Sequence, residues 1–198
     1  MVVLAGPSGA GKSRLAGRLH AAYGWPVFRL DDFYRDGDDP ALPWRTLGGT
    51  RLVDWDDPAS WDADAAIGAL RQLVSTGRVE VPTYDIGRSA AVGTSVVTAA
   101  ERDRVVAEGI FAAEVVARLR EEGLLHSAWC VCHPRWVTFG RRLARDLAER
   151  RKAPMVLVRR GLALCREEPS VVARMERLGA VAATPREVER AVGRPTSA

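Results

Sequence analysis

The sequence contains no asparagine, and its only lysines are Lys12 and Lys152. A guanine-specific switch protein normally carries an Asn-Lys-x-Asp motif, so the lack of asparagine argues against that class. Almost all of the positive charge comes from arginine, and the formal net charge is +4. A basic balance can indicate a nucleic-acid partner. Here, however, the arginines are scattered among carboxylates, except in one dense cluster at residues 141–152.

Cysteine is also scarce, with only Cys130, Cys132 and Cys165 in the chain. Three cysteines do not predict a disulfide scaffold, and the expected compartment is the reducing cytoplasm. The stretch Cys130-Val131-Cys132-His133 has no second Cys/His pair to complete a zinc site, so buried strand cysteines are the favoured interpretation. Long apolar runs are absent too, and we expect neither a membrane span, nor a membrane partner, nor a signal peptide.

Short β-branched runs alternate with helical patterns along the 198 residues, which we interpret as a single domain. After a first strand at the N-terminal apolar run, the sequence predicts strands at 27–30, 104–107 and 128–132. It predicts helices near 12–22, 61–75, 112–122, 135–149 and 185–192. This alternation predicts an α/β fold with three layers, in which helices cover both faces of a parallel sheet. Residues 35–58 show no periodicity and are expected to form an irregular functional loop. Residues 79–98 suggest a small β excursion.

A phosphate-binding loop is the strongest motif in the chain. The residues Gly-Pro-Ser-Gly-Ala-Gly-Lys-Ser match G-x-x-x-x-G-K-[ST], directly after an apolar run and before a helical pattern. Main-chain N–H groups of such a loop surround a phosphate, and the helix N-terminus favours the same anion. Lys12 is expected to reach the terminal phosphates and Ser13 to hold Mg²⁺. The predicted nucleotide-binding residues are Gly6, Pro7, Ser8, Gly9, Ala10, Gly11, Lys12, Ser13 and Arg14.

Carboxylates follow two of the predicted strands. Asp31 and Asp32 come after the second strand, where a carboxylate can take a proton from an attacking hydroxyl. Asp31 is the first choice for this base and Asp32 the second. The alternative is a turn in which aspartate caps the next segment. Glu108 ends another apolar run, and together with Ser13 it predicts a Mg²⁺ site.

The arginine cluster at 141–152 has two interpretations. Helical spacing puts Arg142, Arg145 and Glu149 on one side, which is typical of a solvated basic face. The functional alternative is a lid at about 141–160 that closes over the triphosphate, supplies positive charge to the transferring group and excludes water.

Taken together, these motifs resemble those of the uridine/cytidine kinase family of P-loop kinases, to which phosphoribulokinase and pantothenate kinase are related. The resemblance covers most of residues 2–152. Asp31-Asp32-Phe33-Tyr34 is similar to the family's Asp-Ser-Phe-Tyr, whose first residue is the catalytic base. Residues 54–62, 81–85, 108–110 and 141–152 are similar, in that order, to four further family motifs. The resemblance implies that Trp55 and Asp56 contact the acceptor, that Tyr84 lines its pocket, and that Glu108 is the acid on the Mg²⁺ side.

The resemblance also implies that Arg142 faces the acceptor and Arg145 the phosphates. Tyr34, Arg88 and Lys152 complete the expected acceptor contacts. Arg88 belongs to an expected insertion on the acceptor side, at about 35–98, and Lys152 belongs to the lid. The family has a histidine shortly after its Pro-x-Tyr-Asp motif, whereas this chain has none at 86–91, and Asp57 replaces a second family histidine.

The expected function is therefore transfer of the γ-phosphate of ATP, with Mg²⁺, to a hydroxyl of a small molecule. A nucleoside or a similar polyol is the expected acceptor, without a nucleic-acid partner and with a homo-oligomer left open. One alternative is a P-loop ATPase or nucleotide-binding regulatory protein that has no acceptor. A basic nucleic-acid-binding protein is a weaker alternative, because aromatic residues are not interleaved with the basic cluster.

Overall fold

The structure is a computed structural model that describes residues 1–47, 50–133, 136–137, 139–140, 144 and 154–193. Its strands, in chain order, are β1 (Val2–Ala5), β2 (Val27–Arg29), β3 (Trp44–Leu47), β4 (Thr50–Val53), β5 (Arg78–Asp85), β6 (Ala90–Thr98), β7 (Val106–Glu108), β8 (Ser127–Val131) and β9 (Val181–Ala183). Its helices are α1 (Lys12–Tyr23), α2 (Ala63–Thr76), α3 (Val116–Glu121), α4 (Pro154–Arg177) and α5 (Pro185–Val192).

A five-stranded parallel sheet forms the centre of the molecule, in the order β2-β7-β1-β8-β9. Strands β2, β7 and β1 are neighbours, so their carboxyl ends lie side by side at one edge of the sheet. Ligands of open parallel sheets bind at that edge. The sheet thus brings together the segments that follow Ala5, Arg29 and Glu108.

The two faces of the sheet are covered by different helices, because side chains of a strand point to alternate faces. Val2 and Leu4 of β1 pack with buried side chains of α1 and α5, whereas Val3 and Ala5 pack in a second cluster on the opposite face. That second cluster contains buried residues of α2, α3 and α4, among them Ile67, Leu70, Leu73, Val116, Leu119 and Met175. The three-layer α/β architecture expected from the sequence is confirmed.

Two antiparallel hairpins lie outside the central sheet. The expected β excursion is the hairpin of β5 and β6, and it is longer than predicted. The expectation of an irregular loop over 35–58 is wrong, since β3 and β4 form a hairpin within it. Alternation was hidden there because Trp44 and Leu52 are exposed and Arg45 and Arg51 lie between them.

Other boundaries differ from the prediction by a few residues. The run predicted at 104–107 forms β7 at Val106–Glu108, so Glu108 lies inside the strand. The helix predicted at 112–122 begins as a 3₁₀ turn at Ala112–Val115 and continues as α3. Most of the predicted helix at 135–149 and most of the predicted lid lie outside the described residues, and the described positions 136–137, 139–140 and 144 are helical.

The sequence analysis missed α4 and β9. Helix α4 contains Pro169, a residue that ordinarily argues against a helix interior. Strand β9 has only three residues, yet it pairs with β8 in register Trp129↔Val181 and completes the sheet. In the described ranges, no helix combines the length and the apolar character needed to cross a bilayer.

Candidate active site

The phosphate loop connects β1 to α1 and depends on left-handed backbone. Gly6, Gly9 and Gly11 have φ angles of 144°, 85° and 92°, which residues with a Cβ rarely adopt. A Cβ on Gly6 would also collide with the carbonyl oxygen of Val131 on the neighbouring strand. The loop therefore fits tightly against the sheet at its first glycine.

The side chain of Lys12 folds back over this loop. Lys12 is only 6% exposed, and its Nζ donates hydrogen bonds to the carbonyl oxygens of Gly6 at 2.9 Å and Pro7 at 3.3 Å. The ammonium group thus lies inside the curve of the loop. Ser13 and Arg14 follow it on the first turn of α1, and both are exposed.

Glu108 is a buried acid next to the loop. It is 3% exposed, it shares a hydrogen bond with Ser13, and its Oε2 has no hydrogen-bond partner in the described part of the chain. Burial raises the pKa of Glu108 above its ordinary value, and the nearby charge of Asp31 raises it further. Lys12 and the Ser13 hydrogen bond act in the opposite direction.

The side chains of Ser13 and Glu108 are suitable ligands for Mg²⁺. A hydroxyl and a carboxylate are both hard oxygen ligands, and the unsatisfied Oε2 is a buried acceptor without a donor. Over the described ranges, no three His, Cys, Asp or Glu side chains converge as a metal site. That finding is compatible with Mg²⁺, which usually keeps several waters and takes few protein ligands.

Asp31 lies beside Glu108 on the neighbouring strand end. A 3₁₀ turn at Leu30–Phe33 follows β2 and carries Asp31, whose Oδ1 accepts a hydrogen bond of 2.8 Å from the main-chain N–H of Ile110. A Cβ on Gly109 would come within 2.7 Å of that same oxygen. The absence of a side chain at 109 therefore lets the carboxylate approach the main chain after β7.

Asp32 takes a different direction. It is 5% exposed, and its Oδ1 accepts a hydrogen bond of 3.3 Å from the main-chain N–H of Tyr84. Arg29 places Nη2 at 3.6 Å from the same oxygen. Of the two candidates for the base, Asp31 is the one whose charge acts on Glu108, and Asp32 contacts the β5–β6 hairpin.

An aromatic cluster surrounds Tyr34, which follows Asp31 by three residues. The ring of Tyr34 lies 5.8 Å from that of Trp55, 5.6 Å from that of Tyr84 and 5.8 Å from that of Phe111. The polar atoms of the cluster contact main-chain carbonyls: the Tyr34 hydroxyl donates to Trp55, the Tyr84 hydroxyl to Arg35, and Trp61 Nε1 to Leu30.

Both tyrosines of this cluster stay protonated at neutral pH. Burial raises the pKa of Tyr34 well above its ordinary range, and the charges of Asp31 and Asp56 add to the effect. Burial, with a smaller contribution from Asp36, raises the pKa of Tyr84 to about 12.

The polar residues expected near the acceptor lie farther out. Asp56 is exposed and has an Oδ2 at 4.0 Å from Arg45 Nη2. Arg88 is on the turn of the β5–β6 hairpin, where its Nε is 3.7 Å from Asp85 Oδ2. The side chain of Arg88 is 75% exposed. The three remaining predicted residues, Arg142, Arg145 and Lys152, lie outside the described residues.

Sequence reasoning missed Arg29, Phe111 and Trp61 at this site. Phe111 directly follows the Glu-Gly-Ile motif, and Trp61 lies inside the segment 54–62 that was singled out for its resemblance. Both could have been found as aromatic neighbours of recognised motifs. Arg29 carries no such signal, because an arginine at a strand end is ordinary.

A phosphate loop between the first strand and the first helix, with acids at the ends of the adjacent strands, defines the molecule as a P-loop nucleotide-binding protein. The model of the Phosphoribulokinase / Uridine kinase family matches residues 1–155. The chain therefore belongs to this family.

Curated relatives agree with this assignment. The chain is 28% identical over 153 residues to a uridine kinase of Macrococcus caseolyticus (strain JCSC5402), covering 76% of this chain and 70% of that protein. It is 25% identical over 167 residues to a uridine kinase of Lactobacillus johnsonii (strain CNCM I-12250 / La1 / NCC 533), covering 82% of this chain and 75% of that protein.

The crystal structure of a putative fructose transport system kinase from Silicibacter sp. TM1040 aligns over 93% of this chain and 86% of its own. The TM-score is 0.61 at 19% sequence identity, a likeness of fold. Family membership and the uridine kinase relatives establish the chain as an ATP-dependent kinase, a phosphotransferase that acts on a small molecule.

Proposed function

We propose that this kinase transfers the γ-phosphate of ATP to a hydroxyl of a nucleoside or a similar polyol. The observation that carries the proposal is the row of groups at the sheet edge. Asp31 is held by the Ile110 amide, next to the buried Glu108 and its hydrogen-bond partner Ser13, and Lys12 lies inside the adjacent loop. This arrangement supports a base, a phosphate cradle and a cation site that lie next to one another.

In this mechanism Asp31 takes the proton of the attacking hydroxyl. The hydrogen bond from Ile110 fixes one carboxylate oxygen, so the other oxygen can accept the proton without losing the orientation of the group. A rigidly held base matters because small displacements of reacting groups are costly.

The donor is bound by the loop from Gly6 to Arg14. Its main-chain N–H groups hold the phosphates, and Lys12 exchanges the Gly6 and Pro7 carbonyls for phosphate oxygens. Ser13 and Glu108 would hold Mg²⁺, which when bound neutralises charge on the phosphates. Arg142, Arg145 and Lys152 would add positive charge from a lid at about 141–160.

The aromatic cluster supports a ring-shaped acceptor. The hydroxyls of Tyr34 and Tyr84 already donate to main-chain carbonyls, so the cluster mainly offers ring faces. Asp56 and Arg88 would supply polar contacts at the rim, within an insertion at about 35–98 of one domain. The two uridine kinase relatives point to a nucleoside. The missing family histidines are the reason to include other polyols.

An ADP-release assay with nucleosides, pantothenate and sugar phosphates tests the proposal. We expect release that depends on a nucleoside or polyol, and we expect Asp31→Asn to lower turnover by about 10²-fold or more while nucleotide affinity stays nearly unchanged. Asp38→Asn removes the same charge at an exposed position, and we expect its turnover to equal that of the wild type.

Two results would contradict the proposal. Full-rate ATP hydrolysis that ignores every acceptor would favour a P-loop ATPase or a regulatory nucleotide-binding protein. Unchanged turnover in Asp31→Asn would remove Asp31 from the role of base.

A further inference from the structure

Residues 32–37 form four hydrogen bonds with the end of the β5–β6 hairpin that contains its turn. Two bonds involve Tyr84: its N–H donates to Asp32 at 3.3 Å and its hydroxyl donates to the Arg35 carbonyl at 3.0 Å. The Ala91 N–H donates to Asp36 Oδ1 at 2.8 Å, and the Gly37 N–H donates to the Ser89 carbonyl at 2.7 Å. We call this set of four bonds the hairpin tie.

Asp32 is the residue of the hairpin tie next to Asp31 in the sequence, and burial of its charge has a free-energy cost. Its carboxylate is buried, and burial raises its pKa. A buried acid that loses its partner is strongly destabilising, so Arg29 and the Tyr84 N–H are what make its placement tolerable. A small uncharged residue at position 32 would fill the same space without the cost of burying a charge.

The 3₁₀ turn at Leu30–Phe33 connects the two acids mechanically. Asp31 and Asp32 are consecutive in this turn, and their side chains are held by different parts of the molecule. Asp31 is fixed to Ile110 after β7, and Asp32 is fixed to Tyr84 on β5. A shift of the hairpin therefore pulls on the same short turn that carries Asp31.

We propose that Asp32, together with Arg29, is a positioning pair that couples the acceptor-side hairpin to the carboxylate of Asp31. The pair does not take a proton from the acceptor. It keeps the turn in the orientation in which Asp31 reaches the Ile110 N–H, and it makes that orientation depend on where the hairpin sits. The kinetic part of this proposal rests on the proposed function, whereas its structural part does not.

Hydrogen exchange at the Ile110 amide tests the structural part, because that N–H donates to Asp31 itself. In Asp32→Ala we expect exchange at Ile110 to become about tenfold faster, as local opening increases. Asp32→Asn keeps an oxygen that can accept from Tyr84 and should lie near the wild type. Thr184→Ala removes the capping box of α5 on the other face of the sheet, so it controls for a general loss of stability.

A second variant guards against failure of Asp32→Ala to fold. Arg29 is 56% exposed, so Arg29→Gln removes the counter-charge without opening the core. It should increase Ile110 exchange in the same direction by a smaller factor. The proposal is overturned if Ile110 exchange stays at the wild-type rate in the folded Asp32 and Arg29 variants, while the Tyr84 amide exchanges faster.

Kinetics give a second and separate readout. We expect kcat per nucleotide-binding site to fall about tenfold in Asp32→Ala, with the KM for ATP unchanged and substantial recovery in Asp32→Asn. A purely structural role would lower activity by leaving part of the protein unfolded. Dividing the rate by the number of sites counted in a nucleotide titration removes that effect. If the wild type phosphorylates no acceptor, the proposed function fails and the exchange data alone decide the coupling.

Discussion

The two sides of the site are constructed in different ways. The proposed donor side is one uninterrupted segment, residues 6–14, and its shape comes from main-chain conformation and three glycines with positive φ. The proposed acceptor side is assembled from residues 31–37, 54–61 and 84–91, which are separated in sequence and joined by side-chain bonds to main-chain atoms.

This difference separates what is shared with other kinases from what is particular to this chain. A loop that binds phosphate through main-chain groups tolerates little change, since the ligand and the backbone geometry are fixed. An assembly of side-chain bonds can be altered one residue at a time. The departures from the family pattern, at Asp57 and at 86–91, accordingly fall on the acceptor side.

The largest expected effect is on the donor side, where the main chain sets the geometry. Gly6→Ala should lower the free energy of unfolding by at least about 2 kcal/mol and abolish nucleotide binding, because φ is 144° and the new Cβ meets the Val131 carbonyl. Thermal unfolding and nucleotide titration measure both effects.

Gly17→Ala is the matched control for that experiment. Gly17 lies in α1 with open space around its Cβ position, so alanine should stabilise the protein by about 0.5–1 kcal/mol. If both glycine variants behave alike, the donor loop is less constrained than its contacts imply.

Glu108→Gln is expected to have an intermediate effect that depends on pH. Burial raises the pKa of Glu108, so its ionisation disfavours the folded state at neutral pH, and this cost disappears as the pH falls below the unfolded-state pKa. The glutamine variant should therefore unfold about 2–4 °C higher than the wild type near pH 8, lose that advantage near pH 4, and have impaired activity.

Glu122→Gln provides a control of opposite sign. A hydrogen bond from Arg71 on the surface lowers the pKa of Glu122, so removal of its charge should bring no gain at neutral pH. A lower unfolding temperature for Glu108→Gln near pH 8 would show that the buried carboxylate is better compensated than its contacts indicate.

The smallest expected effect is on the acceptor side. Tyr34→Phe removes one hydrogen bond, from the hydroxyl to the Trp55 carbonyl, and leaves the ring contacts in place. A bond of this kind contributes about 1 kcal/mol, so we expect the acceptor KM to rise about threefold to fivefold with the ATP KM unchanged. Tyr23→Phe, on α1 next to Trp25, should change neither constant. An altered ATP KM in Tyr34→Phe would break the separation of the two sides.

The sequence was sufficient to predict the phosphate loop because its motif is local. The loop, the helix beginning at Lys12 and the acid at Glu108 all follow from contiguous patterns, and the parallel sheet follows from the alternation of elements. The bounds of α5 were also predictable, since the helix expected near 185–192 is found at Pro185–Val192.

The remainder depended on contacts between distant segments. That Asp31 and Asp32 face different partners could not be predicted, because the choice is made by Ile110 and Tyr84, far along the chain. The β3–β4 hairpin was missed because the sequences of its strands, Trp-Arg-Thr-Leu and Thr-Arg-Leu-Val, do not alternate apolar and polar residues. Helix α4 was missed because Pro169 outweighs its periodicity when the sequence is read locally.

The family match ends at residue 155, but the sheet is finished only by β9 and one of its faces only by α5. A polypeptide trimmed to the matched segment would expose the open edge of β8 and uncover Leu15 and Leu19 of the helix that begins at Lys12. The fold therefore depends on residues beyond the matched segment, because they complete the sheet and cover the helix that carries Lys12.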